Sequence, residues 1–286
     1  MKFGMNLLLW TTDATTEASL PLLERLKAMG FDGVEVPVFD LQPDRFERLG
    51  RRLDEIGLLR TAVTVRGVAD NPISADETVR AAGVAKTKLA LQCCQALGAP
   101  LLVGPVYAAL GVFSGTPATT DEWRWGVDGV AAVMDEAERC GVDVAIEYLN
   151  RFEIYLINCV ADALRFVRDV NHPRCKLMLD TFHGHIEEKD LGEALRACAS
   201  ALCHMHMSES DRSTPGSGQL HWGKVFAALK SLRYDGWLTI EAFGQALPEL
   251  VAATKIWRPM YRDEDGLARE GLAFLKRSWA TAPEAL

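Results

Sequence analysis

Short apolar runs and longer amphipathic stretches alternate along the whole chain. Each apolar run has five to eight residues, is dominated by Val, Leu, Ile, Ala and Met, and is bounded by polar or turn-forming residues. Runs of this length are typical of buried β-strands. Strands are therefore predicted at 2–9, 32–36, 59–64, 100–104, 142–147, 175–180, 201–207 and 236–241.

The stretches between these runs have a helical pattern. Apolar residues recur at spacings of three and four, and a glycine follows four of the stretches, at Gly30, Gly57, Gly98 and Gly141. Glycine just after the last apolar position is a common helix terminator. Helices are predicted at 16–29, 43–56, 75–97, 120–140, 160–171, 190–199, 222–232 and 267–279.

The order of these elements decides the fold class. Strands that alternate with helices form parallel βαβ units, and eight such units predict an α/β fold of the (β/α)8 TIM barrel type. A doubly wound open sheet is the rival, but it would carry a Gly-rich turn after its first strand, where residues 10–13 are Trp-Thr-Thr-Asp. No linker interrupts the pattern, so a single domain over residues 1–286 is predicted, with long loops at 105–119, 208–221 and 242–257.

Composition narrows the choice of function. The 286 residues are 49% hydrophobic and 24% charged, as in ordinary globular proteins, and the net charge of −8 offers no basic face for nucleic acid. The seven cysteines form no CxxC pair and are interpreted as reduced thiols in a reducing compartment. The N-terminus is interpreted as a strand rather than a signal peptide, and no apolar run is long enough to span a bilayer, so a cytoplasmic protein without a membrane partner is expected.

Four consecutive predicted strands end in a residue type that binds metal ions: Glu147, Asp180, His206 and Glu241. The C-terminal ends of barrel strands meet at one mouth, where such folds carry their active sites. Any one of these acids alone could instead cap a helix or pair with an arginine. Several buried acids side by side, however, resist ionisation unless a cation is present. Three carboxylates and an imidazole therefore predict a site for one divalent ion.

Two charged residues follow these strands closely. Glu153 lies six residues beyond Glu147, and Arg212 lies six residues beyond His206. A lone loop charge is usually solvated, but their positions make both residues candidates for holding substrate oxygens. Arginine suits this role because its fork of donors never loses its charge.

The remaining histidines divide into several kinds. His183 is predicted in the loop three residues past Asp180, where a surface histidine and a functional one stay equally open. His204 shares a strand face with His206 and is expected to support the ligand rather than bind metal. His172 and His185 are interpreted as surface residues.

Five segments together form a pattern that is more specific than any single motif. They are IEYLNRFE (146–153), LDTFHGHIEE (179–188), HMHMSESDRSTPGSG (204–218), IEAF (240–243) and IWRPM (256–260). With these segments the chain resembles, over nearly its whole length, the D-tagatose 3-epimerase / D-psicose (allulose) 3-epimerase family of xylose isomerase-like TIM barrels. The loops before position 74 and at 105–116 do not follow the family pattern, so the resemblance supports the chemistry more strongly than the substrate.

The resemblance implies a metal-dependent ketose 3-epimerase acting on a free ketose: D-tagatose/D-sorbose, D-fructose/D-allulose or a pentulose. It implies one divalent ion, Mn²⁺ first and Co²⁺ or Mg²⁺ as alternatives, and a homodimer or homotetramer. The metal ligands that it implies are Glu147, Asp180, His206 and Glu241. The residues that it implies for the O1–O3 end of the sugar are Glu153, His183 and Arg212.

A mechanism follows as a hypothesis. The proton on C3, beside a ketone, can be removed if the resulting enediolate is stabilised, which a metal ion does as a Lewis acid. Epimerisation then needs an acid and a base on opposite faces of C3. Glu147 and Glu241 are assigned these catalytic roles in addition to metal binding, with the roles exchanged in the reverse direction.

Other kinds of protein share parts of this pattern. An aldose–ketose isomerase of the sugar or hydroxypyruvate type uses a similar site and is the nearest alternative, followed by a cyclitol dehydratase. A three-zinc endonuclease would need more histidines and a more basic surface. A sugar-binding protein without activity would not need two opposed carboxylates.

Overall fold

In the computed structural model, which describes residues 1–283, eight parallel strands close into one barrel in the order β1 to β8. The predicted (β/α)8 TIM barrel is therefore confirmed. The predicted domain end at residue 286 lies outside the described residues. The strands are β1 Lys2–Asn6, β2 Gly33–Pro37, β3 Leu59–Val63, β4 Leu101–Gly104, β5 Asp143–Glu147, β6 Cys175–Asp180, β7 Leu202–His206 and β8 Trp237–Ile240.

Helices surround the barrel and connect its strands. None of those in residues 1–283 combines the length and apolar content needed to cross a bilayer. They are α1 Leu20–Met29, α2 Pro43–Ile56, α3 Glu77–Leu97, α4 Thr120–Ala131, α5 Met134–Cys140, α6 Val160–Val170, α7 Thr181–Glu187, α8 Leu191–Ala197, α9 Trp222–Ser231, α10 Pro248–Thr254 and α11 Glu264–Thr281.

The glycine signals in the sequence locate four helix ends correctly. Gly30, Gly57, Gly98 and Gly141 follow α1, α2, α3 and α5, with φ between 69° and 93°. This left-handed conformation lets the backbone N–H of each glycine bond the open carbonyls of the last turn, at little steric cost for a residue without Cβ.

Two predicted elements near the N-terminus are too long. The strand predicted at 2–9 ends at Asn6, because the Asn6 side chain accepts a hydrogen bond from the Leu8 amide (2.9 Å) and turns residues 7–9 into a 3-10 helix. The helix predicted at 16–29 begins as an α-helix only at Leu20. Pro21, which has no N–H to donate backwards, occupies its first turn.

Other differences concern the long loops. The helix predicted at 120–140 is two helices, α4 and α5, separated at Ala132 and Val133. The sequence pattern did not predict two short helices, α7 and α10. Helix α7 follows β6 directly, whereas α10 begins at Pro248, within the loop predicted after β8. His183 therefore lies in a helix rather than in a loop.

The strand register places the candidate ligands next to one another. Asp180 of β6 lies directly opposite His206 of β7, and Glu147 of β5 lies opposite Met178, two residues before Asp180. Neighbouring strands are about 4.8 Å apart, so side chains that point inward from the last residues of adjacent strands must meet. Glu241 follows the last residue of β8.

Gly33 allows β2 to approach β3 closely below the site. A Cβ on Gly33 of β2 would lie 2.4 Å from the Leu59 carbonyl oxygen of β3 and 2.6 Å from the Trp237 ring. The backbone contact cannot relax without moving a strand, and Gly33 lies two residues before Glu35, which belongs to the site described below.

We expect Gly33→Ala to lower the free energy of unfolding by about 1–3 kcal/mol, the usual range for overpacking. Gly223→Ala in α9 is the control, because a Cβ there meets nothing within 4 Å; helix propensity predicts no loss or a gain of up to about 1 kcal/mol. Urea unfolding of both variants measures the difference, and equal stabilities would contradict the close-contact argument.

Candidate metal and substrate site

Four side chains from consecutive strands converge at the C-terminal mouth of the barrel. Glu147, Asp180, His206 and Glu241 are all buried, and one ligand atom of each lies within 4.8 Å of the others. His206 Nδ1 is 3.3 Å from Glu241 Oε1, 3.6 Å from Asp180 Oδ2 and 3.7 Å from Glu147 Oε1. The structure thus brings together the set that the sequence predicted, as a cluster able to hold one ion.

The orientation of His206 fits a metal ligand. Its Nε2 forms a hydrogen bond of 2.6 Å with Glu35 Oε1, whereas its Nδ1 is buried and has no hydrogen-bond partner among residues 1–283. With Nε2 donating to Glu35, Nδ1 faces the three carboxylates, and its lone pair is available to a metal ion once the ring is neutral. A divalent cation accepts that lone pair together with the carboxylate oxygens, which is the donor set expected from hard and borderline ligands.

The electrostatics of the cluster also favour a cation. Burial, reinforced by the charges of Glu241 and Asp180, raises the pKa of Glu147 to about 7 despite the nearby His206. Burial alone would lower the pKa of His206, but the charges of Glu35 and Glu241 outweigh it and raise that pKa well above its ordinary value. Burial of Glu147 and the negative charges around His206 thus make the metal-free site bind protons, and a divalent ion would instead neutralise the carboxylates.

Asp180 has two structural roles besides its place in the cluster. Its Oδ1 accepts hydrogen bonds from the amides of Phe182 (2.6 Å) and His183 (3.2 Å), which caps the N-terminus of α7. Its Oδ2 accepts a hydrogen bond from Ser208 Oγ (2.7 Å). The same carboxylate therefore fixes the start of the helix that carries His183.

His183 is fully buried in a polar environment. Its Nδ1 accepts a hydrogen bond from the backbone N–H of Asn150 at 3.0 Å, and its Nε2 lies 3.2 Å from Arg212 Nη2. Burial and the charge of Arg212 lower the pKa of His183, so its imidazole is neutral. The sequence left open whether His183 is a surface residue, and the structure shows that it is not. Of the two histidines predicted at the surface, His185 is exposed and His172 is half-buried.

Arg212 connects the cluster to the second acidic candidate. Its Nη1 donates to Glu241 Oε2 (2.7 Å) and its Nη2 donates to Glu153 Oε1 (3.3 Å). The guanidinium group also packs against two aromatic rings, 4.1 Å from the centroid of Phe182 and 4.9 Å from that of Phe243. Stacking of this kind holds a planar cation in place, so the side chain is fixed by both hydrogen bonds and ring contacts.

A cavity of about 100 Å³ opens beside these groups. Glu147 and Glu241 line it, whereas Asp180 and His206 do not. The three predicted substrate-binding residues, Glu153, His183 and Arg212, line it as well. The rest of the wall is almost entirely apolar and includes Leu8, Phe39, Val63, Val65, Leu110 and Leu250.

Sequence reasoning missed Glu35, which lies inside the barrel with no exposed surface. Besides its bond to His206, Glu35 accepts hydrogen bonds from Asn6 Nδ2 (3.0 Å) and Thr61 Oγ1 (2.9 Å). His204 Nε2 is 2.9 Å from Glu35 Oε2, which is the supporting position expected for His204. The only signal in the sequence is an acid in the middle of the buried run GVEVP.

Glu35 is ionised in the folded chain. Burial alone would raise its pKa, but His206, His204 and their hydrogen bonds lower the pKa far below the ordinary value for glutamate. The ionised carboxylate therefore accepts a hydrogen bond from the Nε2–H group of His206. This interaction directs the opposite ring nitrogen of His206 toward the cluster.

Comparison with known proteins gives a consistent result. Residues 23–278 match the model of the xylose isomerase-like TIM barrel family. The chain is 31% identical to a probable ketose 3-epimerase of Synechocystis sp., over 98% of both chains. It is 30% identical to a D-psicose 3-epimerase of Agrobacterium fabrum, over 96% of this chain and 98% of the relative. A crystal structure of a D-allulose 3-epimerase from Methylomonas sp. in complex with D-allulose superposes with a TM-score of 0.90, at 29% identity and 97% coverage of both chains.

We expect Glu35→Gln to weaken Mn²⁺ binding about 10- to 100-fold, the usual effect of removing the carboxylate partner of a ligating histidine. The amide keeps the size of the side chain but can no longer accept at both oxygens. Isothermal titration of the metal-free protein with Mn²⁺ measures the change. Glu24→Gln on the exposed face of α1 is the control; equal Mn²⁺ affinity in the Glu35 and Glu24 variants would contradict the assigned role.

Proposed function

Since the chain belongs to the xylose isomerase-like TIM barrel family, and within it to the ketose 3-epimerases, we propose that it is an isomerase that inverts C3 of a free ketose in a metal-dependent reaction. Candidate substrate pairs are D-tagatose/D-sorbose, D-fructose/D-allulose and the pentuloses. A homodimer or homotetramer and a cytoplasmic location stay predictions.

One observation carries this proposal. Of the four clustered side chains, Glu147 and Glu241 alone line the cavity, and they come from the first and the last of the four strands. Asp180 and His206 lie between them. A sugar in the cavity would therefore have one carboxylate on each side, which is what inversion at a carbon requires of an acid and a base.

The metal ligands that we propose are Glu147, Asp180, His206 and Glu241. A divalent ion at this position would act as a Lewis acid on substrate oxygens and stabilise the negative charge that develops there. Oxygen-rich sites with a single imidazole suit Mn²⁺, with Co²⁺ and Mg²⁺ as alternatives.

The neighbouring polar residues would hold the O1–O3 end of the sugar. Arg212 and His183 present their donors at one wall of the cavity, and Glu153 offers an acceptor beside them. Because Arg212 is fixed by two carboxylates and two aromatic rings, it is preorganised for negative charge on a substrate oxygen.

The reaction requires that one proton is removed from C3 and another is added to its opposite face. One of the two cavity glutamates, as the carboxylate, removes the C3 proton, and the electron pair of the C–H bond moves into the enediolate. The other glutamate, in its protonated form, delivers a proton to the opposite face of C3. In the reverse direction the two residues exchange roles, so the same site catalyses the reaction both ways.

The first test is a panel of free ketoses: fructose, tagatose, allulose, ribulose, xylulose and erythrulose. Protein treated with EDTA and reloaded with Mn²⁺ is expected to convert at least one of them into its C3 epimer, as detected by sugar chromatography. The EDTA-treated protein without added metal is the control and should be inactive. An aldose product would support the aldose–ketose isomerase instead, and loss of water would support the dehydratase.

The second test concerns the two glutamates. In D₂O the wild-type product should carry deuterium at C3, and both Glu147→Gln and Glu241→Gln should lose about 10²-fold or more of the epimerisation rate. Each variant should still exchange the C3 proton of the one epimer whose proton faces its remaining carboxylate. Glu193→Gln on the exposed side of α8 is the control. Near-wild-type epimerisation in either active-site variant would refute the two-base scheme.

A further inference from the structure

A buried carboxylate outside the candidate site organises the loop that carries Arg212. Glu209 Oε1 accepts hydrogen bonds from the amides of Ser210 (2.8 Å) and Leu220 (3.2 Å). Its Oε2 accepts hydrogen bonds from the Gly216 amide (2.8 Å) and Trp222 Nε1 (2.9 Å). All four donors belong to residues 210–222, so a single side chain closes this segment into a ring.

Glu209 is completely buried, although part of the segment that it binds is exposed. Residues 216–219 are exposed and pass over the carboxylate. A Cβ on Gly218 would lie only 2.6 Å from Glu209 Oε1. Burial alone would raise the pKa of Glu209, but the four donors outweigh it and lower that pKa, so the group is an anion that the segment solvates.

The backbone of Arg212 depends on this arrangement. Its φ of 63° is in the left-handed region, which a residue with a Cβ adopts at a cost of order 1 kcal/mol or more. Its amide donates to the Glu209 carbonyl (3.0 Å), which closes a tight turn. Its own carbonyl accepts from the Phe243 amide (3.0 Å), which joins the turn to the segment after β8.

We propose that Glu209 is a positioning residue for Arg212: by binding residues 210–222, it stabilises the left-handed turn that directs the guanidinium group into the cavity. This inference rests on the proposed function only in giving Arg212 a substrate to bind. Glu209 does not line the cavity. It acts on the reaction through Arg212 alone.

The chemistry of the carboxylate makes the proposal testable with a conservative change. Each oxygen of Glu209 accepts two hydrogen bonds, so both oxygens are needed as acceptors. In Glu209→Gln one oxygen becomes an NH₂ group, which would face two donors. Buried donors left without acceptors are unfavourable, and the segment is expected to move away from its present position.

Asp211→Asn provides a matched control in the same loop. Within the described part of the chain, only one oxygen of Asp211 accepts hydrogen bonds, from the Ser213 amide (3.1 Å) and hydroxyl (2.5 Å). An asparagine retains such an oxygen. The two acid-to-amide changes lie two residues apart and remove the same charge, so a difference between them reports the hydrogen-bond pattern rather than the charge.

The main experiment is a double-mutant cycle measured with the Mn²⁺-loaded enzyme and its best ketose. We expect Glu209→Gln to lower kcat/KM about 10²-fold, as misplacement of a binding group does, and Asp211→Asn to leave it unchanged. In the Arg212→Ala background, Glu209→Gln should have no further effect. A second loss of similar size in that background would mean that Glu209 acts independently of Arg212, and the proposal would be wrong.

Amide hydrogen exchange gives a readout that does not depend on activity. The amides of Gly216 and Leu220 should exchange at least about tenfold faster in Glu209→Gln than in the wild type, whereas Mn²⁺ affinity should stay the same. If the wild-type protein epimerises no ketose, the proposed function fails while this measurement still decides whether Glu209 holds the loop. Unchanged exchange would overturn the positioning role.

A milder variant covers the case in which Glu209→Gln does not fold. Trp222→Phe removes one of the four donors and keeps an aromatic ring against Phe226 and Phe274. We expect a loss of about fivefold in kcat/KM, the effect of one hydrogen bond, and no loss in the Arg212→Ala background. Full activity of Trp222→Phe would contradict the proposal.

Discussion

The crowding of carboxylates around one imidazole is the constraint on which the rest of this molecule depends. Glu147, Asp180 and Glu241 approach His206 on one side of the ring, and Glu35 approaches it on the other. Four acids in so small a buried volume repel one another strongly unless positive charge is placed among them. Arg212 supplies part of that positive charge, and a divalent ion would supply the rest.

The barrel satisfies this constraint through its geometry. Parallel strands all end at the same mouth, so one residue from each of four strands reaches a common point without any loop having to be ordered first. Outer interactions then fix each group: Glu35 orients His206, Asp180 caps α7, and two aromatic rings pack against Arg212. These interactions belong to the fold itself, which keeps the site in place before any ligand arrives.

Much of this arrangement could be predicted from the chain, because strand ends are local features. The acids and the histidine that close β5 to β8 are visible as polar residues after apolar runs, and parallel topology implies that they meet. Glu35 could not be found in this way, since its partner His206 is 171 residues away and the two become neighbours only when the barrel closes. Helix α7 was missed because seven residues carry too little periodicity. Helix capping is one of the roles that the sequence leaves open for Asp180, and in the structure its carboxylate does fix the start of α7. Likewise, the contacts of Glu209 extend over a loop without regular structure, for which no sequence pattern exists.

The ligand cluster uses only half of the barrel. The four ligands that we propose come from β5, β6, β7 and the residue after β8, whereas β1 to β4 and the segments after them supply apolar wall residues such as Leu8, Phe39, Val63 and Val65. Apart from Asn6 and Glu35, which lie beneath the cluster, no residue of the first half has a role in the reaction that we propose. Over evolutionary time, the two halves can therefore diverge at different rates: substitutions in the first half can adapt the pocket to sugars of new length or shape, while the second half conserves the reaction.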